Sequence, residues 1–439
     1  MTRHKMFGIG IRIEPMNENV IPLIECVACG SHNLKLTLDL NTQPLANSYK
    51  LNKDDVQEEY PLAINRCTDC YHVQLTHSVN PHLMFDDYLY VSGTSTTMHS
   101  YSENFAKYAS KTHSMYTNNQ EPKHVMDIGC NDGTQLDYFK QMGHYTYGVD
   151  PAQNLFERSS KNHTVWCDYF CEEFVDETIL DMDGDPMKFD IITAQNVFAH
   201  GPEPLKFLEN AKHMMHSNTL LFIQTSQAFM IRNNEFDTIY HEHISFFNIQ
   251  SMNELCKRAG LYLLDVQYMP IHGTSYAFVI SKTPEVRSPF LEGKIGQLIE
   301  IERNAGLYDE QTYEDYKNNA DNIVQQLKYE TDYVQQGMIG WNVVGYGAAA
   351  KGMTLLNYSK IKLDFIVDDN PLKQGRFTPG SSIPIVSIDQ IDNLGTTLFV
   401  PLAWNFFDEI RKKIKERRNG EDHKYDRFIT YFPRVEIKE

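Results

Sequence analysis

The chain has 439 residues, of which 41% are hydrophobic and 22% are charged, and its formal net charge is -18. This composition predicts two or three globular domains and excludes a disordered or fibrous protein. The acidic balance argues against a protein that binds nucleic acid or anionic membranes, since either would normally show a clustered basic face. No stretch approaches the run of about 18 apolar residues that a membrane span needs. Residues 1–23 also lack the apolar segment of a signal peptide, so we expect a cytoplasmic protein with reduced thiols.

Two short cysteine pairs, Cys26/Cys29 and Cys67/Cys70, predict a zinc site in a small N-terminal lobe of residues 1–85. Both thiolates of such a pair can reach one tetrahedral ion, so four sulfur atoms close the site. Two disulfides are the alternative, which the missing secretory signal disfavours. A zinc ion held by four thiolates keeps no open position for a substrate, so we expect a structural ion.

An aromatic stretch rich in serine and threonine, residues 84–99, follows the second cysteine pair. Loops that join two lobes often carry hydroxyl groups that contact a ligand. An ordinary connection between domains is the alternative.

Residues 86–285 alternate strands with helical segments. Strands are predicted at 124–129, at 189–196, at 220–225 and in a segment that ends at 148–150, with a helix at 135–142. This spacing is typical of a doubly wound sheet, in which the ligand lies beyond the carboxyl ends of the strands. The predicted fold class is therefore α/β, with a central Rossmann-like domain.

The first turn of this unit favours S-adenosylmethionine as the cofactor. It reads Asp-x-Gly-x-x-Asp-Gly from Asp127 to Gly133, so it lacks the Gly-x-Gly-x-x-Gly cradle that binds a pyrophosphate. Asp150 ends the second strand, where a carboxylate can accept both hydroxyl groups of a ribose. S-adenosylmethionine carries a ribose but no pyrophosphate, and another ligand on a Rossmann-like unit is the alternative. The candidate cofactor-binding residues are Asp127, Gly129, Asn131, Asp132, Gly133, Thr134, Asp150, Pro151 and Asn196.

Four consecutive residues, Tyr240, His241, Glu242 and His243, are candidates for catalysis. A neighbouring carboxylate favours the protonated imidazole and burial opposes it, so a histidine here can be poised as a proton acceptor near neutral pH. Zinc ligation and a satisfied polar loop are the alternatives. A metalloprotease is disfavoured, because its two histidines must lie one helical turn apart.

The last third of the chain predicts a helical bridge, residues 286–337, followed by a second Rossmann-like α/β domain, residues 338–439. The bridge shows helical spacing of apolar residues and no site of its own. In the second domain, the turn that starts at Gly345 reads Gly-x-Gly-x-x-Ala, and Asp368 ends the next strand. This is a fair dinucleotide signature, so an NAD-dependent oxidoreductase is an alternative function.

Five segments resemble the motifs of the zinc-containing, S-adenosylmethionine-dependent sugar C-methyltransferases, which methylate carbon on nucleotide-linked 4-keto-6-deoxy sugars. They lie at 126–134, 148–151, 196–200, 236–243 and 378–385, and they include Asn-Val-Phe-Ala-His and Tyr-His-Glu-His. The resemblance extends from the cysteine pairs to the last domain. It implies transfer of a methyl group to C-3 or C-5, beside the ketone of a dTDP- or UDP-linked sugar.

The resemblance also implies roles for the titratable residues. Carbon is a poor nucleophile until a proton beside the ketone is removed, so the enzyme needs a base and a group that stabilises the enolate oxygen. His243 is the implied base, with Glu242 orienting the imidazoles and Tyr240 donating to the sugar oxygen. His200 is the second candidate for enolate stabilisation, and His241 completes the implied catalytic segment.

The substrate contacts implied by the resemblance come from both ends of the chain. Tyr90 would close the site from the aromatic stretch, with Tyr88 as the rival choice. The C-terminal domain would help to hold the nucleotide, and Lys351, Lys373 and Arg376 could offset the charge of its diphosphate. Solvated surface charges are the alternative for all three cations.

One segment departs from the family. Residues 272–277 read His-Gly-Thr-Ser-Tyr-Ala where the family tends to read His-Gly-Gly-Ser-x-Arg, so the anion contact of that arginine is in doubt here. Ser275 is a candidate substrate contact, and we expect Trp404 and Asn405 near the cleft between the domains. An O- or N-methyltransferase and a non-catalytic, zinc-stabilised binding protein are the remaining alternatives.

Overall fold

The computed structural model describes residues 19–86, 91–94, 96–225, 228–271, 273–284, 293–420 and 423–439. The described chain contains three sheets of four, seven and six strands and one two-stranded ribbon. The α/β fold class predicted from the sequence is confirmed. No helix in these ranges is long and apolar enough to cross a membrane.

The N-terminal lobe is an antiparallel sheet. Its elements are β1 (Val20–Pro22), β2 (Leu34–Gln43), β3 (Tyr60–Cys67), β4 (Val73–Leu75), β5 (His77–Val79) and α1 (His82–Phe85). β3 lies between β2 and β4, and β1 pairs with β5. Leu62 and Ile64 on β3 are fully buried, so one face of this small sheet packs against the rest of the molecule.

The central domain is built on a seven-stranded sheet. Its elements are α2 (Thr96–Thr117), β6 (His124–Ile128), α3 (Thr134–Gln141), β7 (Tyr145–Val149), α4 (Gln153–Ser159), β8 (Thr164–Trp166), β9 (Phe189–Gln195), α5 (Pro204–His213), β10 (Met215–Thr225), β11 (Ser245–Phe246), α6 (Ile249–Arg258), β12 (Tyr262–Met269) and β13 (Ser275–Ser281). The strand order is β12-β13-β10-β9-β6-β7-β8, and β13 runs antiparallel to both of its neighbours. The order reverses between β6 and β9, so the turns that follow these two strands diverge and open a crevice between them. β11 leaves this domain and joins the N-terminal sheet beside β4.

Two helices and a second α/β unit complete the chain. Their elements are α7 (Lys294–Asn304), α8 (Glu310–Gly337), β14 (Asn342–Tyr346), α9 (Ala350–Ser359), β15 (Phe365–Val367), β16 (Ile385–Val386), β17 (Thr397–Pro401), α10 (Phe407–Arg417), β18 (Arg427–Thr430) and β19 (Glu436–Lys438). The strand order is β16-β15-β14-β17-β18-β19, parallel except for the last pair.

One hydrophobic core joins the N-terminal sheet, the loop before β11, α8 and the last α/β unit. It contains Ile64 of the N-terminal sheet, Ile239 and Ile244 of the loop before β11, Leu327 of α8 and Leu356 of α9, all at most 1% exposed. Because burial of apolar side chains is the main favourable term in folding, this shared core holds the four-stranded and six-stranded sheets around the loop that precedes β11.

Glu302 ties α7 to the start of α6. Its side chain is 2% exposed, and its carboxylate accepts hydrogen bonds from the Ile249 main-chain nitrogen at 3.0 Å and from the hydroxyl groups of Tyr276 and Tyr308. Burial raises the pKa of this carboxyl group, while the three donors favour its charged form. The bridge between the two α/β units therefore anchors the helix that follows β11.

We predict that Glu302→Gln lowers the free energy of unfolding by about 2–3 kcal/mol, because the amide NH2 would face donors and leave a buried hydroxyl or main-chain N–H without an acceptor. Urea denaturation measures the change. Glu300→Gln on the same helix is the matched control, because Glu300 is exposed and pairs only with Arg303 across one turn, an arrangement that contributes about 0.5 kcal/mol or less. Equal stability of the two variants would contradict the anchoring role.

Candidate active site

Four cysteine sulfur atoms form a cluster in the N-terminal lobe. The Sγ atoms of Cys26 and Cys70 are 3.5 Å apart, those of Cys29 and Cys67 are 3.6 Å apart, and all four lie within 4.8 Å of one another. A tetrahedral zinc ion with Zn–S bonds of about 2.3 Å requires sulfur atoms about 3.8 Å apart. The four thiolates therefore fit a zinc ion and leave it no open position.

The two cysteine pairs have the same backbone turn. The residue after each second cysteine is left-handed, with φ of 79° at Gly30 and 62° at Tyr71, and its N–H donates to the carbonyl of the first cysteine of the pair. Such a φ favours glycine. Tyr71 adopts it while its ring stacks on Tyr308, with ring centroids 4.7 Å apart, and its carbonyl accepts from the Asn248 amide.

The zinc lobe is bound directly to the loop before β11. The Leu75 N–H of β4 donates to the Ile244 carbonyl, and the Ile244 N–H donates to the Ala199 carbonyl. Arg258 of α6 donates to the Ala28 carbonyl inside the first cysteine turn at 2.7 Å. The position of the loop is therefore set by the lobe that the metal holds together.

A cavity of about 710 Å³ lies between this loop and the carboxyl ends of β6, β7 and β9. Its wall includes Gly129, Asn131 and Pro151 after the first two strands, and Asn196 after β9. Two side chains of the histidine-containing loop, those of Tyr240 and His243, line the cavity.

A buried acid, Asp127, and a half-buried acid, Asp150, line the cavity at the ends of β6 and β7. Burial raises the pKa of Asp127 to about 7, although the Thr193 hydroxyl donates to its carboxylate at 2.6 Å. Asp150 accepts from the main-chain nitrogens of Asn131 at 2.8 Å and Ala152 at 2.9 Å, and burial raises its pKa as well. Both carboxylates thus lie at strand ends where they can attract a cationic or hydroxyl-rich ligand.

Three residues of the first turn are outside the cavity wall, contrary to the sequence-based expectation. Asp132 forms an ion pair with Arg158 at 2.9 Å and accepts from the Thr134 N–H. Gly133, with φ of 81°, precedes the first residue of α3, which is Thr134. These residues build the start of α3, and their contribution to a cofactor site is indirect.

The His243 ring has a defined tautomer. Its Nδ1 is 2.9 Å from the Thr238 carbonyl and its Nε2 is 2.7 Å from the Tyr240 hydroxyl, and the side chain is 5% exposed. A carbonyl only accepts hydrogen bonds, so Nδ1 carries the hydrogen and Nε2 of the neutral ring is an acceptor. The Tyr240 O–H therefore donates to the Nε2 lone pair, and both side chains line the cavity.

His200 lies beside His243 in the same cavity. The two ring centroids are 5.3 Å apart, and the ring of Phe85 stacks on the His200 ring at 5.7 Å. Burial lowers the pKa of His200 to about 4, so this ring is neutral at pH 7. The pair therefore places two imidazoles in one cavity wall.

His241 and Glu242 are not among the described residues that line the cavity, which corrects the grouping of all four residues in one catalytic unit. Nε2 of His241 is 3.2 Å from the Tyr60 carbonyl, and burial lowers the pKa of this ring to about 4. Glu242 accepts from the Asn47 amide. The Thr238 carbonyl and the Tyr240 hydroxyl orient His243, so the role expected of Glu242 is filled by other groups.

Lys351 of α9 is the described C-terminal residue that reaches the cavity wall. Its ammonium group lies 4.6 Å from the centre of the Trp404 ring, and the Trp404 indole N–H donates to Asp237 at 2.9 Å. Trp404 therefore lies at the contact between the last domain and the loop, with Asn405 next to it in a short 3-10 turn.

Two other substrate candidates are absent from the described cavity wall. Ser275 is fully buried in β13 of the central sheet and donates to the Ile271 carbonyl. Arg376 is the second such residue. It lies in a turn in which its main-chain N–H donates to the Lys373 carbonyl. Lys373 itself donates to the Ala348 carbonyl at 2.8 Å.

The C-terminal glycine turn is filled by protein groups. The Ala348 N–H donates to Asp368 at 2.6 Å, and the Ala348 carbonyl accepts from the hydroxyl group of Tyr49 and from Lys373. A Cβ atom on Gly347 would lie 2.8 Å from Ala403, so this glycine is required by close packing. These contacts occupy the groups that a dinucleotide would need at this turn.

Tyr88 and Tyr90, the expected closing residues, lie outside the described residues. Other cavity residues were missed by the sequence analysis. Asp168, Tyr169 and Phe170 follow the short strand β8 and line the cavity. The rule that located Asp150, a polar residue just past a strand end, would have found Asp168 if the three-residue strand had been recognised.

Three family models match the chain. A model for a zinc binding domain matches residues 26–85, one for a methyltransferase domain matches 101–266, and one for a C-methyltransferase C-terminal domain matches 270–433. The C-methyltransferase NovU of Streptomyces niveus is 28% identical over 433 residues, which cover 96% of this chain and 98% of that protein.

More distant similarities are confined to the central part. The ubiquinone biosynthesis O-methyltransferase of Coxiella burnetii (strain Dugway 5J108-111) is 24% identical over 179 residues, covering 37% of this chain and 74% of that protein. The crystal structure of magnesium protoporphyrin IX methyltransferase from Synechocystis PCC 6803 with bound SAM is 11% identical, covers 41% of this chain and 79% of that chain, and has a TM-score of 0.31.

We predict that the purified protein contains one zinc ion per chain and that Cys67→Ser loses it, because three thiolates and a hydroxyl group form a poor site for the ion. Structural zinc contributes several kcal/mol, so Tm should fall by about 5 °C or more. Metal analysis and thermal unfolding measure both effects. Cys167→Ser, at an exposed cysteine, is the control and should keep metal and Tm. Full metal content in Cys67→Ser would contradict the assignment.

Proposed function

The chain belongs to the zinc-containing, S-adenosylmethionine-dependent C-methyltransferases, and on that premise we propose that its substrate is a dTDP- or UDP-linked 4-keto-6-deoxy hexose, methylated at C-3 or C-5 beside the ketone. The observation that carries the proposal is the His243 ring in the cavity wall, whose Nδ1 lies against the Thr238 carbonyl and whose Nε2 lies against the Tyr240 hydroxyl. The sugar nucleotide is supported by the resemblance of segments 126–134, 196–200 and 236–243 to sugar C-methyltransferase motifs.

The cavity residues fit S-adenosylmethionine. Its described wall carries the acids Asp127, Asp150, Asp168, Glu172, Glu173 and Glu203 and the lysines Lys206 and Lys351. An excess of carboxylates attracts a cationic cofactor. Gly129, with φ of 73°, lets the backbone come close to such a ligand, since a Cβ atom there would lie 3.0 Å from Val197. When bound, S-adenosylmethionine supplies the methyl group, whose carbon–sulfur bond breaks with its electron pair kept by sulfur as the enolate carbon attacks.

His243 is the base in this proposal. The substrate ketone takes the hydrogen bond of the Tyr240 hydroxyl, which frees Nε2 of His243 to accept the proton from the adjacent carbon. The Thr238 carbonyl stabilises the imidazolium that forms, because it already accepts from Nδ1–H. The electron pair of the broken carbon–hydrogen bond passes to the ketone oxygen as an enolate.

Tyr240 and His200 stabilise that enolate in different ways. The Tyr240 hydroxyl donates to the oxygen on which negative charge develops. His200 is neutral because of its burial, so it can donate one hydrogen bond without lowering the basicity of His243 by charge repulsion. Two neutral donors beside one neutral base keep His243 ready to take a proton at pH 7.

We predict that His243→Gln reduces both methyl transfer and solvent exchange of the sugar proton by about 100- to 10,000-fold, the usual contribution of a general base. The affinity for S-adenosylhomocysteine, measured by calorimetry, should be unchanged. His213→Gln, at a surface histidine near the end of α5, should keep both rates. Retained exchange in His243→Gln would remove His243 as the base.

The substrate is tested with labelled S-adenosylmethionine and a panel of keto-sugar nucleotides, followed by NMR of the product. We expect a new carbon–carbon bond beside the ketone and no reaction with the corresponding alcohols, which have no acidic proton. A methyl group on oxygen or nitrogen would favour an O- or N-methyltransferase. A product oxidised in the presence of NAD would favour the oxidoreductase.

A further inference from the structure

The structure assigns Lys351 to the reacting carbonyl group: we propose that its ammonium stabilises the enolate oxygen, as a catalytic residue supplied by the C-terminal domain, instead of binding the substrate diphosphate. This inference rests on the proposed function. Lys351 has no role in the proton transfer to His243 or in the cofactor binding proposed above.

The location of Lys351 favours this role. Among the described C-terminal residues it lines the same cavity as Tyr240 and His243, and it is only 9% exposed. A lysine that binds a diphosphate needs access to the outer part of a site, where the nucleotide enters. Lys351 is instead a buried part of the cavity wall to which Tyr240 and His243 also belong.

The surroundings hold the ammonium group in one place. It lies 4.6 Å from the centre of the Trp404 ring. Asp237 is fully buried and Glu235 is 3% exposed, and both carboxylates interact electrostatically with Lys351. A cation fixed before the reaction stabilises developing charge without reorganisation.

The local charge suits one developing negative charge. Burial raises the pKa of Asp237 to about 7 and also raises the pKa of Glu235, so the two acids only partly offset the Lys351 ammonium group near pH 7. One buried ammonium group can stabilise the single charge of an enolate oxygen, whereas a dianionic diphosphate needs further cations beside it. The carboxylates also favour the charged form of Lys351 against its burial, which lowers its pKa.

The proton and electron balance needs no further reactant. His243 takes the proton from carbon, and the electron pair moves to the ketone oxygen, where the Lys351 ammonium stabilises it without transferring a proton. The same pair then forms the carbon–carbon bond, the carbonyl group is restored, and Lys351 ends the cycle as an ammonium group.

The test compares Lys351→Met with the parent protein in two measurements. The first is solvent deuterium exchange of the substrate proton in the presence of S-adenosylhomocysteine, and the second is the Kd of dTDP or UDP alone. We expect exchange and methyl transfer to fall by about 100-fold or more, the usual effect of losing one enolate-stabilising donor. The Kd of the nucleoside diphosphate should be unchanged.

Two further variants keep the test decisive. Lys351→Met/Asp237→Asn removes the charge of the buried acid together with that of its cation, so no unpaired buried carboxylate is left to destabilise the fold. Solvent exchange in this double variant should be as slow as in the single variant. Lys412→Met, at an exposed lysine of α10 in the same domain, should match the parent in both measurements.

A nucleoside diphosphate Kd that rises at least 10-fold while exchange is kept would overturn the proposal and make Lys351 a phosphate contact, the result expected for loss of a charge-assisted hydrogen bond. Exchange at the parent rate in the double variant would overturn it as well. If the parent protein exchanges no proton with any keto sugar, the proposed substrate fails first and this role fails with it.

Discussion

The main chain of Ile244 is the junction on which the site depends. Its carbonyl accepts from Leu75 of the zinc lobe, and its N–H donates to Ala199 of the turn after β9. His243 precedes Ile244, and His200 follows Ala199. The Ile244–Ala199 hydrogen bond therefore sets the separation of the two imidazoles, and the Leu75–Ile244 hydrogen bond links them to β4 of the zinc lobe.

The loop before β11 is buried, so its polar groups need partners from elsewhere in the protein. The last domain supplies two of them: the Thr354 hydroxyl donates to the Ile239 carbonyl at 3.0 Å, and the Trp404 indole donates to Asp237. The N-terminal lobe supplies Asn47 for Glu242. The Thr238 carbonyl is satisfied by the His243 ring itself, so the bond that satisfies a buried carbonyl also determines the tautomer of the proposed base. Three domains around one loop are the structural reason for the length of the chain.

Local patterns in the sequence were enough to predict the cysteine cluster, the first glycine turn and the α/β class. Each of these depends on residues close together in the chain or on strand spacing. The domain limits and the roles of individual residues remain predictions. The resemblance singled out His243 as the base, but the local pattern could not separate it from His241, because positions two apart in a loop show no face until the loop is packed. It also could not show that Tyr49, about three hundred residues upstream, fills the second glycine turn, which is why that turn resembled a dinucleotide site.

The most direct test of the account is the protonation state of His243 in the resting enzyme, measured by nitrogen-15 NMR of histidine-labelled protein and assigned with the His243→Gln variant. The account predicts a neutral ring at pH 7, with hydrogen on Nδ1 and an Nε2 that accepts from the Tyr240 hydroxyl and whose resonance shifts when a keto-sugar nucleotide binds. A ring with hydrogen on Nε2, or one that is already cationic at pH 7, would contradict it.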